Sequence, residues 1–493
     1  MQMPSNFRSS SRHATRSHGR SVQAGYRRTV LCLMAIAIGL ALMMNGSVAT
    51  PYRQISTLLL SVPLVLSLGI AITEVETRRI VRWALILLST MTGWIVLQTL
   101  QMPIDALAHP VWSDLSQAGI EAGQYISAAP AQTRESLPSL ILPALVFIAM
   151  LMLCQRKADA ILAWKILAVI GVALTLLCII LELFFEGTLF FSSRPVGQSS
   201  FSGIMVNRNV TASFLGMTGL LLGAWLLLPD EQARYNRSDI GKRIKVPLGL
   251  QKSIIAVFLF LTIVTLLVTR SRAGASFGLF ALTLSFMACI AMQRGQSQAD
   301  PPARQLGFKS TLAALAGFGV FAAFGGPVMS RMASRGLDDS RWCAWQGTWQ
   351  AIRETPLTGA GFGTFTEVFP RFRDAECLGT TGWWTRTHNL YLEFLAGTGL
   401  IGAAIGCAAL YMLVRILTIG LSRRKSLRPI VIFSAGSLLF LLLHSGFDFP
   451  LQIPGVSFYF AAIMGVGCAV ALLERRPRPS KGARHSVEKS NST

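Results

Sequence analysis

Six short segments carry residue types able to bind an anion or move a proton. In Arg386-Thr-His-Asn-Leu-Tyr-Leu-Glu393, His388 stands where a polar stretch meets an apolar helix, and Tyr391 and Glu393 follow in its first turns. An imidazole ordinarily titrates near 6.5, so at such a boundary it can take a proton from a hydroxyl. A lone histidine is more often structural; the polar neighbours of His388 tip the reading toward a base. His444-Ser-Gly-Phe-Asp448 sets an acid among apolar residues near the end of a span. An unpaired charge is expensive there, and His388 or an arginine would partner Asp448. Asn207-Arg-Asn209 opens another apolar run, where Arg208, Asn207 and Asn209 can donate to phosphate or sugar oxygens, or merely cap the helix.

Three further segments are weaker. In Val268-Thr-Arg-Ser-Arg-Ala273, Arg270 reads as an interfacial residue whose stem lies along apolar surface. Arg272 begins the next helix, where a cation opposes the helix dipole; a bound anion and simple interfacial anchoring both account for it. Asp338-Asp-Ser-Arg341-Trp342 joins a planar donor fork to an aromatic face, which suits phosphate or sugar. A surface ion pair of Arg341 with Asp338 or Asp339 is the plain alternative. Pro356-Leu-Thr-Gly-Ala-Gly-Phe-Gly-Thr-Phe365 does not fit G-x-G-x-x-G, so Gly359, Gly361 and Gly363 read as a tight turn and not a phosphate loop.

The elements that position these residues are membrane spans. Of 493 residues, 52% are hydrophobic and 14% charged, and mean hydropathy is +0.51; a soluble chain would carry about 25% charged residues. Apolar runs near 29–47, 56–74, 80–100, 138–154, 159–183, 209–228, 253–269, 273–292, 309–328, 389–415, 430–447 and 454–473 make about twelve spans. Each is expected to be helical, because lipid satisfies no backbone polar group. The expected fold is therefore an all-α polytopic membrane domain over 29–473. Basic tails at 1–28 and 474–493 are expected to be disordered and cytoplasmic, and the first apolar run is read as a span and not a cleaved signal.

A net charge of +22 raises nucleic-acid binding, but the basic residues punctuate span ends, as at Arg78-Arg79 and Arg423-Arg424-Lys425. That is the pattern of a protein facing anionic lipid. With the N-terminus inside, most of the 45 basic residues fall on the cytoplasmic side, and both termini lie there. The segments 101–137, 184–208 and 329–388 then lie outside. The last, a large extracytoplasmic loop before the tenth span, holds five of the ten tryptophans. Cys343 and Cys377 fall in this loop, as a disulfide or as two free thiols. No cysteine or histidine spacing resembles a zinc site, and no cofactor is called for. On this topology Arg208, Arg272, Arg341, His388 and Asp448 share one face, as an anionic diphosphate substrate and proton transfer from a hydroxyl would require.

Asn207-Arg-Asn209, Ser271-Arg272, Ser340-Arg-Trp342 with Pro356-Leu-Thr-Gly359 downstream, and His388-Asn-Leu-Tyr-Leu392, in this order, resemble the O-antigen ligase and polymerase superfamily of bacterial membrane glycosyltransferases. The resemblance implies a GT-C-like fold in the bacterial inner membrane. It implies a glycan donor on undecaprenyl diphosphate and inverting, metal-independent transfer at the periplasmic face. Arg272 and Arg341 would bind the donor diphosphate, and His388 would deprotonate the acceptor hydroxyl with help from Asp448. Trp342, Asn389 and Tyr391 join Arg208, Asn207 and Asn209 as expected substrate contacts. The acceptor would be lipid A–core in a ligase of lipopolysaccharide biosynthesis. In a polymerase it would be one more lipid-linked repeat of an O-antigen or exopolysaccharide. A flippase or transporter is the more distant alternative; it would need charged residues deep inside spans.

Overall fold

With no water to satisfy backbone groups, an apolar run in a bilayer folds as a helix, and the chain is a bundle of such helices. The computed structural model describes residues 7–185, 188–189, 192–193, 201–205, 207–229, 247–294, 339–374, 383–424 and 426–473. In chain order its helices are α1 (Phe7–Met43), α2 (Thr50–Ser67), α3 (Val75–Leu97), α4 (Pro110–Gln117), α5 (Pro130–Leu153), α6 (Lys157–Phe184) and α7 (Arg208–Leu227). There follow α8 (Leu248–Val268), α9 (Arg272–Arg294), α10 (Asp339–Glu354), α11 (Phe365–Val368), α12 (Leu390–Arg423), α13 (Arg428–Ser445) and α14 (Pro454–Leu472). Two-residue strands, Thr188–Leu189 and Ser192–Ser193, pair between α6 and α7.

Among the described residues, ten helices are long and apolar enough to cross a membrane. The remaining two expected spans fare differently. Helix α2 is less apolar, but it joins the same two ends of the bundle: Arg53 lines a cavity at one, and the Leu66 carbonyl accepts from Tyr26 Oη at the other. The run 309–328 lies outside the described residues, as does the tail 474–493. Helix α1 starts at Phe7, so much of the N-terminal tail expected to be disordered is helical. An established span needs only one hydrogen bond per added residue to extend, which a Ser- and Arg-rich stretch without proline allows.

One end of the bundle gathers arginines. Arg27 donates to the Ala71 carbonyl, Arg28 lies 3.8 Å from Asp159, and Arg428 donates to the Met292 carbonyl at 3.1 Å. These residues sit on one side in the alternation read from the sequence. The opposite end holds the starts of α7, α9, α12 and α14 and the end of α13. Among the described residues, the four non-glycine residues with left-handed backbone, Asn45, Ser47, Arg270 and His388, also turn there.

Helix α12 is broken, and the break explains the glycine-rich segment. Gly399 has φ 63° and ψ −171°, so the helical hydrogen bonds stop there. The freed carbonyls find partners on other elements. Ala360 N–H donates to Ala396 (2.8 Å), Gly361 N–H and Gln98 Nε2 to Gly397 (3.0 and 2.9 Å), and Trp94 Nε1 to Thr398 (2.9 Å). Gly359, Gly361 and Gly363 have φ of 71°, 109° and 80°. A Cβ on Gly359 would strike the backbone of Gly397 and Gly399. The segment is therefore a tight turn plugged into a helix break, as its spacing indicates.

Candidate active site

A cavity of about 1260 Å³ opens at the end opposite the arginine cluster. Arg53, Arg208, Arg341 and Arg386 line it, with Glu393 the single carboxylate among the described residues that do so. Its other wall is apolar. Leu390, Phe394, Ala403, Gly406, Cys407 and Leu410 follow α12 for twenty residues, roughly 30 Å of helix, and Leu140 of α5 also lines the wall. The space is thus cationic at its mouth and hydrocarbon-like along its length.

His388 lines the cavity just before α12. Asn389 caps that helix, its Oδ1 accepting from the N–H groups of Tyr391 (3.0 Å) and Leu392 (3.1 Å). The residue ahead of the cap is forced to turn, and His388 does so with φ 55°, a conformation histidine tolerates better than most residues. Its ring lies edge-on between Trp384 and Phe449, at 5.7 and 4.8 Å. Thr387 N–H donates to Glu393 Oε2 (2.8 Å), and Glu393 Oε1 accepts from Arg386 (3.2 Å). The segment before the histidine is tied down at both carboxylate oxygens of one buried acid.

Nδ1 of His388 faces Oδ1 of Asp448 at 3.6 Å. Asp448 is 1% exposed. Its Oδ1 also accepts from Phe449 N–H (2.8 Å), and its Oδ2 accepts from Asn209 Nδ2. Burial alone pushes its carboxyl up, but His388, His444 and the Phe449 N–H outweigh that and hold it below the ordinary carboxylate range. Asn209 in turn accepts from Ser271 Oγ at 2.8 Å. A chain Ser271–Asn209–Asp448–His388 therefore runs from the α9 start through the α7 start to the histidine. Behind it His444 Nδ1 meets Ser213 Oγ at 2.8 Å, and the Ser213 hydroxyl donates to the Asn209 carbonyl at 3.1 Å.

Arg341 Nη1 donates to the Phe447 carbonyl (2.9 Å), so α10 docks on the loop that carries Asp448. Trp345 packs against Phe447 at 6.3 Å and donates to the Thr387 carbonyl at 3.1 Å, joining that loop to the histidine segment. Tyr391 lines the cavity and donates to the Leu442 carbonyl at 2.5 Å.

The structure thus brings together Arg208, Arg341, His388, Asp448, Asn207, Asn209 and Tyr391. It does not bring in three other expected residues. Arg272 is exposed on the first turn of α9 and does not line the cavity; its neighbour Ser271 is the one turned inward. Trp342 is half exposed and does not line the cavity, its ring lying against Trp345, and Asn389 is occupied as a helix cap. Asn209 holds Asp448 and is not simply a substrate contact. Cys343 is disulfide-bonded; Cys377 lies outside the described residues. Arg53, Arg386 and Glu393 are not among the expected site residues. The sequence signal for Arg53 was a cation beside Pro51 just ahead of an apolar run. Among the described residues, no cluster of three His, Cys, Asp or Glu side chains could hold a metal ion.

Comparison with curated proteins gives no match. Residues 257–407 of this multi-pass membrane chain, from α8 through Arg341 and His388 into α12, match the family model described as O-antigen ligase.

Proposed function

We propose that the protein is an O-antigen ligase-like glycosyltransferase, moving a glycan from undecaprenyl diphosphate to a hydroxyl of lipid A–core at the periplasmic face of the inner membrane. The observation that carries this reading is a single cavity joining four arginines and a His–Asp pair to a long apolar wall. The diphosphate belongs at the arginines, where partial desolvation strengthens charge-assisted contacts. The polyprenyl chain belongs along α12.

His388 is the base. Its Nδ1 is buried toward Asp448, which leaves Nε2 to the cavity. Nε2 takes the acceptor hydroxyl proton, and that oxygen bonds to the anomeric carbon. The bond from the anomeric carbon to the diphosphate oxygen breaks, and its electron pair leaves with the lipid diphosphate. Attack opposite the leaving group inverts the anomeric centre. The 3.6 Å gap between His388 and Asp448 closes to a hydrogen bond as the ring becomes imidazolium, since such contacts tighten in the reacting complex. The arginines balance charge on the departing diphosphate.

The test is to delete the gene in its host and restore it as wild type or as His388→Ala at equal membrane abundance. Surface glycolipids are then resolved on a gel. Wild type should restore long polysaccharide on core, while the variant leaves bare core and accumulates lipid-linked polymer. Core bearing a single repeat would make the enzyme a polymerase instead, and full restoration by the variant would remove His388 as the base.

A further inference from the structure

A second, smaller cavity of about 160 Å³ lies at the arginine-rich end, far from the His–Asp pair, and nothing in glycan transfer uses it. It lies where α6, α7 and α8 meet, under Leu427 at the start of α13. Lys165, Lys252, Gln251 and Trp225 supply its polar and aromatic lining, with no carboxylate among the described residues around it.

Three features here point the same way. Lys165 is eight residues into α6, about 12 Å from the helix start, where a charge in a span calls for a partner. Its ammonium lies 5.5 Å over the Trp225 ring, an arrangement that steadies a cation without neutralising it. Lys252 approaches from the first turns of α8. Leu248 at the start of α8 also lines the cavity, and Pro247 ahead of it gives no side-chain cap. The N-terminal turn of α8 therefore borders the same space as two lysine side chains, and a helix start beside cations suits phosphate. The volume holds several waters or one tetrahedral oxyanion with its ester carbons.

We propose that this cavity is a phosphate-binding site on the membrane face opposite the active site, read by Lys165, Lys252 and the α8 N-terminus. A phosphodiester headgroup of an anionic lipid and free inorganic phosphate share that chemistry. Basic pockets between spans at a membrane surface hold such headgroups. The site is independent of the glycan-transfer reading.

The experiment titrates the purified full-length chain in detergent with phosphatidylglycerol, phosphatidylcholine or inorganic phosphate, counting bound ligand by native mass spectrometry. Lys165→Gln and Lys252→Gln should each weaken phosphatidylglycerol binding about fivefold. The charge-matched control Arg79→Gln with Arg82→Gln, exposed on α3, should stay within about twofold. Lys165→Arg with Lys252→Arg should retain binding, which separates lost charge from lost folding. If phosphate binds with the same lysine dependence and phosphatidylglycerol does not compete, the occupant is free phosphate. If phosphatidylglycerol competes, it is lipid. Binding that the double glutamine variant keeps, or that the α3 control loses equally, would overturn the site.

Discussion

At the scale of residues, Asp448 is expensive to bury and is kept by what surrounds it. Asn209 Nδ2 and the Phe449 N–H saturate two of its acceptor positions, and His388 faces a third. Asn209 is a positioning residue in this arrangement, because it reaches the histidine only through the carboxylate. Asn209→Ala should lower kcat by about tenfold or more while leaving KM for the lipid-linked donor near wild type, with Asn209→Ser partly restoring it. A donor-binding role would instead raise KM at constant kcat. That Asp448 needs a partner, His388 or an arginine, was legible in the sequence because an acid at a span end is expensive unpaired; the structure sets His388 beside it. The exchange of Arg272 for Ser271 was not. A helix turns about 100° per residue, so adjacent positions at its start face different sides, and which one enters the bundle depends on how α9 packs on α7.

At the scale of elements, the break in α12 sets where His388 can sit, since the glycine-rich turn and Gln98 hold it from two sides. Gly399→Ala would put a Cβ into the Leu357 carbonyl at a left-handed φ. We expect a loss of about 3 kcal/mol or more, read as a lower thermal midpoint in detergent, whereas Gly249→Ala, with open space around it, should be near neutral. The segment over α3–α5 carries a pH dependence of its own. His109 is buried and caps α4 by accepting from Val111 N–H, and burial, then Arg371, lowers its pKa to about 4. Because the ordinary value is 6.5, the stability it contributes is complete above about 6.5 and lost as pH falls toward 4. Protection factors against hydrogen exchange across 101–129, taken relative to the intrinsic rate at each pH, should fall over that window, and His109→Asn, which keeps a capping oxygen, should flatten the change. The sequence showed that the glycine segment was a turn. The matching break in α12 was passed over, because Gly397-Thr-Gly399 is a short interruption inside a run that is otherwise apolar from Leu390 to Leu421.

At the scale of the whole molecule, the all-α, multi-span architecture was readable because lipid leaves few alternatives to helices. What sequence does not carry is which spans are neighbours. Arg53 enters the cavity because α2 packs beside α5 and α1, and only the assembled bundle puts it with Arg208 and Arg341. If the cavity mouth binds diphosphate, Arg53→Ala should raise KM for the lipid-linked donor by about tenfold, within the range of a charge-assisted hydrogen bond, and weaken inhibition by undecaprenyl diphosphate equally. Arg272→Ala should change either far less, since that side chain is exposed away from the cavity.

In the proposed transfer His388, held by Asp448, takes the acceptor proton. This role is tested most directly with purified protein in lipid nanodiscs, given lipid-linked O-antigen and lipid A–core, by following the rate of glycolipid formation. Wild type should form product, and His388→Ala and Asp448→Asn should each slow it by about 10² or more while still binding undecaprenyl diphosphate. Product formation by His388→Ala at the wild-type rate would contradict the account.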